Sequence, residues 1–114
     1  MAQRENRGQA STEHVIALMT ERIVARFHPL KVILFGSHAR REAGVDSDVD
    51  LLVVFSQLED AHRTAVEIRR TLRGFGVAKD IVVTTTEEIT QRGHLIGTVL
   101  EPALREGRVL YERA

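Results

Sequence analysis

The chain has 114 residues, enough for one domain with a single hydrophobic core and too few for a second. Lysine plus arginine and aspartate plus glutamate number 16 each, so the net charge gives no long-range attraction to nucleic acid or an anionic membrane. The absence of cysteine excludes disulfides, thiolate zinc sites and cysteine nucleophiles. No apolar stretch approaches the ~20 residues that span a bilayer, and the polar start lacks the apolar core of a signal peptide. We therefore expect a cytoplasmic protein without a membrane partner.

The first third of the chain predicts a disordered N-terminus, a helix and a buried strand. Residues 1–10 are polar and lack periodic apolar positions, so we expect them to be disordered and residues 11–114 to form the single domain. Apolar residues then recur at helical spacing until Pro29, which predicts an amphipathic helix from Ser11. The apolar run at residues 31–35, ended by Gly36, predicts a strand buried on both faces. The helical positions are Ile16, Met19, Ile23 and Phe27.

The middle of the chain predicts a helix, a strand and a second helix. Residues 37–43 favour a short helix that ends at Gly44. Residues 48–55 predict a strand that is acidic in its first half and apolar in its second, so that one end meets water. Ser56 and Glu59 form a capping-box pattern, which predicts a helix that ends at Gly74. The apolar positions of this helix are Ala61, Ala65, Ile68 and Leu72.

The last third predicts a strand, helical segments and a closing strand. Residues 79–84 predict a third strand, and Thr85 with Glu88 predicts a capped helix after it. Residues 95–105 favour a helix with Pro102 as a kink or restart, and residues 108–111 a short closing strand. The order of elements predicts an α/β (α+β) fold: a small mixed sheet of three to four strands, with helices mainly on one face.

The turn after the first strand has the features of a phosphate-binding site. Gly36 has no side chain, so backbone amides there are open to an oxyanion. A helix that starts near Ser37 would direct N–H groups at the same point, and the Ser37 hydroxyl adds a further donor. Arg40, one turn later, would reach the outer phosphates of a nucleoside triphosphate. Gly-Ser pairs are also common in ordinary turns, so this motif alone is weak evidence.

Two acidic residues open the second strand. Asp48 and Asp50 are two apart, so their carboxylates project from the same face of the strand. At roughly 6.5 Å they would repel by about 2–3 kcal/mol at an effective dielectric near 20, and a shared cation would remove that repulsion. Oxygen ligands without cysteine favour Mg²⁺ or Mn²⁺ over zinc. The alternative is a solvated strand end whose charges block edge pairing.

Asp80 is the third candidate ligand. It opens an apolar strand as Asp48 opens its own, so the two strands would present acids at one end of the sheet. Three acids allow two metal ions, one at the attacking hydroxyl and one at the triphosphate, with Asp80 as the acceptor of the hydroxyl proton. The five histidines include no pair at metal-ligand spacing on a helix, so none is predicted to bind metal. Tyr111 is expected to cover the core.

Together these motifs resemble the signature of the DNA polymerase beta superfamily. The matching residues are Gly36-Ser37, Ala39-Arg40 and the segment 47–51, Ser-Asp-Val-Asp-Leu. More narrowly, the chain is similar to minimal nucleotidyltransferases, which are encoded beside helical HEPN proteins in prokaryotic toxin–antitoxin pairs. The resemblance covers residues 30–85 most strongly and implies metal binding by Asp48, Asp50 and Asp80. One departure is Arg41, where many members have glycine.

The resemblance implies an enzyme that moves AMP from ATP onto a hydroxyl of a partner HEPN toxin, and so acts as an antitoxin. The small size agrees with this, because larger relatives add a domain that binds the acceptor, and here another protein would complete the site. One alternative is an antitoxin that neutralises the toxin by binding alone, which the three intact acids disfavour. A second alternative, an aminoglycoside-type nucleotidyltransferase, would require a separate substrate domain. The sequence leaves homo-oligomerisation open.

Overall fold

The structure is a computed structural model that describes residues 2–40, 48–92 and 100–113, with side chains for 12–40, 48–91 and 103–113. Among these residues the strands are β1 (Lys31–Phe35), β2 (Val49–Phe55), β3 (Lys79–Thr85) and β4 (Arg108–Glu112). The helices are α1 (Ala2–Phe27), α2 (Gly36–Ala39), α3 (Ala61–Thr71), α4 (Thr86–Arg92) and α5 (Leu100–Glu106), with a 3₁₀ turn at Arg73–Phe75.

The strands form one mixed sheet in the order β3-β2-β1-β4. β1 is antiparallel to both β2 and β4, whereas β2 and β3 are parallel. Because a parallel pair needs a crossover, α3 carries the chain from the end of β2 back to the start of β3. The predicted fold class, a mixed sheet of three to four strands with helices, is confirmed.

The sheet has two apolar faces of unequal size. Alternate residues of β2 pack on what we call the large-core face, with side chains of α1 and α3. The other face, the small-core face, carries Leu52 and Val54 of β2, Ile33 of β1 and Ala103 of α5. Asp50, two residues before Leu52, therefore belongs to the small-core face. The large-core residues include Met19, Ile23, Val49, Leu51, Val53, Ile68 and Leu72.

The first helix is longer than the sequence predicts. α1 begins at Ala2, whereas the sequence predicts a disordered segment at 1–10 and a helix from Ser11. The added turns are rich in Ala, Gln, Arg and Glu, which extend a helix at little cost once it has formed. The helix ends at Phe27 before Pro29, as predicted. Within the described ranges, neither the 26-residue α1 nor any other helix is apolar enough to cross a membrane.

The predicted ends of α3 are wrong at both termini. Ser56 and Glu59 do not cap it; the helix begins at Ala61, and the Asp60 carboxylate accepts a hydrogen bond of 3.0 Å from the Arg63 N–H. Asp60 satisfies a first-turn donor directly and so sets the start. At the other end α3 stops at Thr71, and a 3₁₀ turn continues to Gly76 at φ 73° instead of breaking at Gly74.

Most of the remaining boundaries agree with the sequence to within one residue, but α2 ends at Ala39 and Arg40 lies in a turn, whereas the sequence predicts a helix through that position. The Thr85 hydroxyl accepts a hydrogen bond of 3.2 Å from the Glu88 N–H, so the predicted cap of α4 is confirmed. Pro102 lies in the first turn of α5, where a missing N–H breaks no intrahelical bond. β4 confirms the closing strand. The predicted helix segments at 41–43 and 95–99, with Gly44 and Arg41, lie outside the described residues.

A glycine fixes the tight junction between α5 and β4. A Cβ at Gly107 would overlap the Ala103 carbonyl oxygen and a methyl carbon of Ile33. We expect Gly107→Ala to lower the free energy of unfolding by about 1–3 kcal/mol, because backbone and core must both move. Gly74→Ala is the matched control, since nothing lies within 4 Å of its Cβ position. Urea unfolding of both variants tests this, and equal midpoints would contradict it.

Candidate functional site

The three predicted acids occupy one end of the sheet. Because β1 is antiparallel to β2, the end of β1 lies beside the start of β2, and the parallel β3 starts beside β2. In register, Asp50 is paired with Phe35 on one side and with Asp80 on the other. Directly paired residues of neighbouring strands project from the same face, so Asp50 and Asp80 share the small-core face. Asp48 immediately precedes the first residue of β2.

Gly36 packs directly against Asp50, which lies between Phe35 and Asp80 in the sheet. Its φ is 73°, in the left-handed region that favours glycine. A Cβ at this position would overlap Asp50 Oδ2 and lie 3.2 Å from the Asp50 carboxyl carbon. Glycine is therefore required here twice, for its backbone conformation and for the space that the carboxylate occupies.

The turn at Gly36, which the sequence predicts to bind phosphate, is followed by only a short helix. α2 spans only Gly36–Ala39, and the Arg40 N–H donates to the Gly36 carbonyl at 3.3 Å. One turn contributes little macrodipole, so anion binding here would depend on the backbone N–H groups themselves. The residue before the helix is Phe35, whose side chain makes no capping hydrogen bond. The first-turn N–H groups, which have no intrahelical acceptor, therefore receive no hydrogen bond from a capping side chain.

Arg40 is oriented by α5. Its Nη1 atom lies 3.7 Å from Glu106 Oε2, and both side chains are partly exposed. An exposed pair of this length contributes little stability, about 0–1 kcal/mol, so its main effect is on where the guanidinium points. Glu106 lies 66 positions along the chain from Arg40 and belongs to no motif, so sequence reasoning missed it.

The charged form of Asp50 is disfavoured in the metal-free protein. Burial raises the pKa of Asp50 above its ordinary value of 3.8, and the neighbouring Asp80 and Asp48 carboxylates raise it further. His38 and Arg40 act in the opposite direction through their positive charge. The interaction with Asp50 places His38 at the site, although the sequence assigned it no role. A cation bound here would relieve the repulsion among the three acids.

Asp80 has a partner that the sequence did not reveal. Arg69 Nη2 donates to Asp80 Oδ1 at 3.2 Å, from α3, which packs on the opposite face of the sheet. No sequence pattern links the two residues, because they meet only through the crossover from β2 to β3.

The donor set fits a hard divalent cation. Asp48, Asp50 and Asp80 carry carboxylate oxygens, the ligands that Mg²⁺ and Mn²⁺ prefer. Among the described side chains, however, no three of His, Asp and Glu are gathered closely enough to form a ready-made metal site. The roles of these acids as ligands therefore remain predictions.

A separate groove lies away from the three acids. It has a volume of about 530 Å³ and is bounded by α1 and β4, with a mainly apolar lining that includes Ile16, Val24 and Tyr111. Tyr111 also packs against the large core, in agreement with the predicted covering role. None of the three acids borders this groove.

The raised pKa of Asp50 predicts a pH-dependent gain in stability for Asp50→Asn. The folded protein holds the Asp50 proton more tightly than the unfolded chain, so ionisation destabilises the fold. This penalty is complete above the raised pKa and disappears as the pH falls below 3.8. We therefore expect the Asp50→Asn variant to be more stable than the parent in EDTA near neutral pH, with a difference that shrinks in acid. Urea unfolding across the pH range measures it, with the exposed Glu59→Gln variant as the control.

Gly36→Ala should weaken metal binding through Asp50. The added Cβ would push the Asp50 carboxylate aside, and we expect Mn²⁺ affinity to fall by about tenfold or more, as when the support of a metal ligand is lost. Gly76→Ala is the matched control, because Gly76 has the same φ of 73° but nothing within 4 Å of its Cβ position. Both variants should lose about 1 kcal/mol of stability to backbone strain. Equal Mn²⁺ affinities would refute the proposed contact.

Two solved structures share the fold of this chain. A protein from Sulfolobus solfataricus assigned as a nucleotidyltransferase superposes with a TM-score of 0.66 at 21% identity, covering 94% of this chain and 86% of that one. A toxin–antitoxin structure with AMP-PNP superposes with a TM-score of 0.55 at 18% identity, covering 85% of this chain and 73% of that one. At these identities the likeness establishes the fold.

The sequence itself assigns the family. No curated protein matches the chain. Residues 19–105 match the nucleotidyltransferase domain family, a range that includes the turn at Gly36 and all three acids. The chain therefore belongs to the nucleotidyltransferase domain family.

Proposed function

We propose that this protein transfers a nucleoside monophosphate, most simply AMP from ATP, onto a hydroxyl of a partner HEPN-type toxin with the help of Mg²⁺ or Mn²⁺. The observation that carries the proposal is the register of β2, which places Asp50 between Asp80 and the turn at Gly36. A carboxylate pair beside a backbone anion site is what phosphoryl and nucleotidyl transfer require.

Each site residue has a proposed role. The N–H groups of the turn at Gly36 and Ser37, with the Ser37 hydroxyl, would hold the phosphates of ATP. Arg40 would neutralise charge on the outer phosphates. Asp48, Asp50 and Asp80 would hold the divalent cation, which when bound supplies Lewis-acid stabilisation of the phosphate oxygens and of the attacking hydroxyl.

The transfer exchanges the phosphoanhydride bond between the α- and β-phosphates of ATP for a phosphoester bond to the acceptor. The acceptor oxygen forms a bond to the α-phosphorus of ATP, and the bond from that phosphorus to the oxygen bridging it to the β-phosphorus breaks. Pyrophosphate leaves with that oxygen, and the hydroxyl proton passes to the Asp80 carboxylate. The chain's own contribution is to align the two oxygens and to balance the negative charge that develops between them.

The resemblance to minimal nucleotidyltransferases supports a toxin as the acceptor, in a cytoplasmic toxin–antitoxin pair. The structural neighbour from a toxin–antitoxin complex was crystallised with AMP-PNP, an ATP analogue, and this agrees with both the partner and the nucleotide. The opposing interpretation is an antitoxin that acts by contact alone. Intact acids at all three positions favour the enzyme, because pure binding places no demand on them.

Labelled ATP tests the transfer directly. We expect ATP labelled in the α-phosphate, with Mg²⁺ and the product of the neighbouring gene, to leave label on that partner, whereas label in the γ-phosphate stays in solution. The variant Asp48→Ala, Asp50→Ala should lower transfer by about a thousandfold, since several kcal/mol of transition-state stabilisation is lost. Glu59→Gln, which alters an exposed acid outside the site, should leave transfer unchanged.

The other outcomes separate the alternatives. Toxin neutralised without label, equally by the double variant, would establish a binding antitoxin and overturn the enzyme. Label on an aminoglycoside but not on the protein partner would place the chain with the small-molecule transferases. Transfer of the γ-label would indicate a kinase reaction and refute nucleotidyl transfer.

A further inference from the structure

The Asp80 carboxylate forms an ion pair with Arg69. Arg69 donates from Nη2 to Asp80 Oδ1 at 3.2 Å, and the two side chains are 50% and 55% exposed. A divalent cation at the same carboxylate would stand close to the guanidinium, and two positive charges at that range repel. Arg69 and a metal ion therefore compete for Asp80.

Arg69 approaches Asp80 from the layer opposite the site. α3 is fixed on the large-core face by Ile68 and Leu72, both fully buried. Asp50 and Asp80 lie on the small-core face, so the guanidinium has to pass around the border of the sheet. The guanidinium can take this path because β3 is an edge strand, with no further strand of the described residues beside it in the sheet. The contact therefore brings a positive charge to Asp80 from the border of the sheet.

The ion pair between Arg69 and Asp80 offsets part of the negative charge at this end of the sheet. Asp50 and Asp80 are directly paired in the register of β2 and β3, so their like charges repel each other. Arg69 offsets the charge of Asp80 from the far side. The described side chains also contain no gathered group of three acids, which agrees with an Asp80 that is held apart.

We propose that Arg69 is a positioning residue: it holds Asp80 away from Asp50 in the metal-free protein, and a divalent cation displaces it to recruit Asp80. The proposal rests on the metal-dependent transfer function proposed above. It makes assembly of the site conditional, because the acceptor of the hydroxyl proton joins the other two acids only once the cation is present. Arg69 touches neither substrate and acts only through Asp80.

Metal affinity is the direct test. Titration of the whole 114-residue chain with Mn²⁺, followed by electron paramagnetic resonance without nucleotide, should show about two- to fivefold tighter binding in Arg69→Ala, the range expected when an exposed ion pair no longer has to break. Arg69→Lys keeps the charge and should bind close to the parent. Arg70→Ala removes the same charge from the next residue of α3 and should leave the affinity unchanged.

Measuring Arg69→Ala in an Asp80→Asn variant distinguishes competition for Asp80 from a general effect of removing a positive charge. In Asp80→Asn, adding Arg69→Ala should change Mn²⁺ affinity by less than in the parent, because the contact is already lost. The side-chain N–H signal of Arg69 in ¹⁵N spectra should also shift on Mg²⁺ addition in the parent but not in Asp80→Asn.

The outcomes distinguish this inference from the function on which it rests. If the parent binds Mn²⁺ but Arg69→Ala binds no more tightly, or the gain persists undiminished in Asp80→Asn, the role of Arg69 is refuted and the metal site stands. If the parent binds no Mn²⁺ at all, with or without ATP, both proposals are overturned.

Discussion

The pairing of β2 with its two neighbours is the constraint on which the site depends. β2 is buried along nearly its whole length and is hydrogen-bonded on both sides, so its register cannot slip without moving apolar residues out of the core. That register sets Asp50 opposite both Phe35 and Asp80. The residue after Phe35 is a glycine that meets the Asp50 carboxylate, and any side chain there would take the space of that carboxylate. Core packing thus holds Asp50 and Asp80 next to each other although their carboxylates repel.

The apolar runs and the motifs were sufficient to predict most of the fold and the position of the acids. Strands β1, β2 and β3 are marked by continuous Val, Ile and Leu, and the alternation within β2 already assigns Asp48 and Asp50 to one face. The start of α3 was mispredicted because Asp60 competes with Ser56 as a cap, and the two cannot be ranked without the geometry. The extent of α1 was underestimated because its first turns carry no apolar period.

The contacts that tune the site could not be predicted at all. Glu106 beside Arg40 and Arg69 beside Asp80 come from helices that the sheet brings to the site, and neither pair has a sequence spacing that signals it. Arginines on a helix such as α3 usually face solvent, so the pattern alone gives no sign of the contact between Arg69 and Asp80. Motifs report the groups that touch a substrate, whereas the residues that orient those groups depend on how the layers pack.

The central place of β2 also determines how the site would respond to fluctuations. Amide protons of a strand paired on both sides exchange with solvent only when the whole domain opens, whereas outer strands and chain ends exchange through local fraying. Asp50 should thus keep its setting for as long as the protein stays folded, while Asp80, on an outer strand, can loosen on a much shorter timescale. The strand order therefore places Asp50 on the more protected strand and Asp80 on the less protected one.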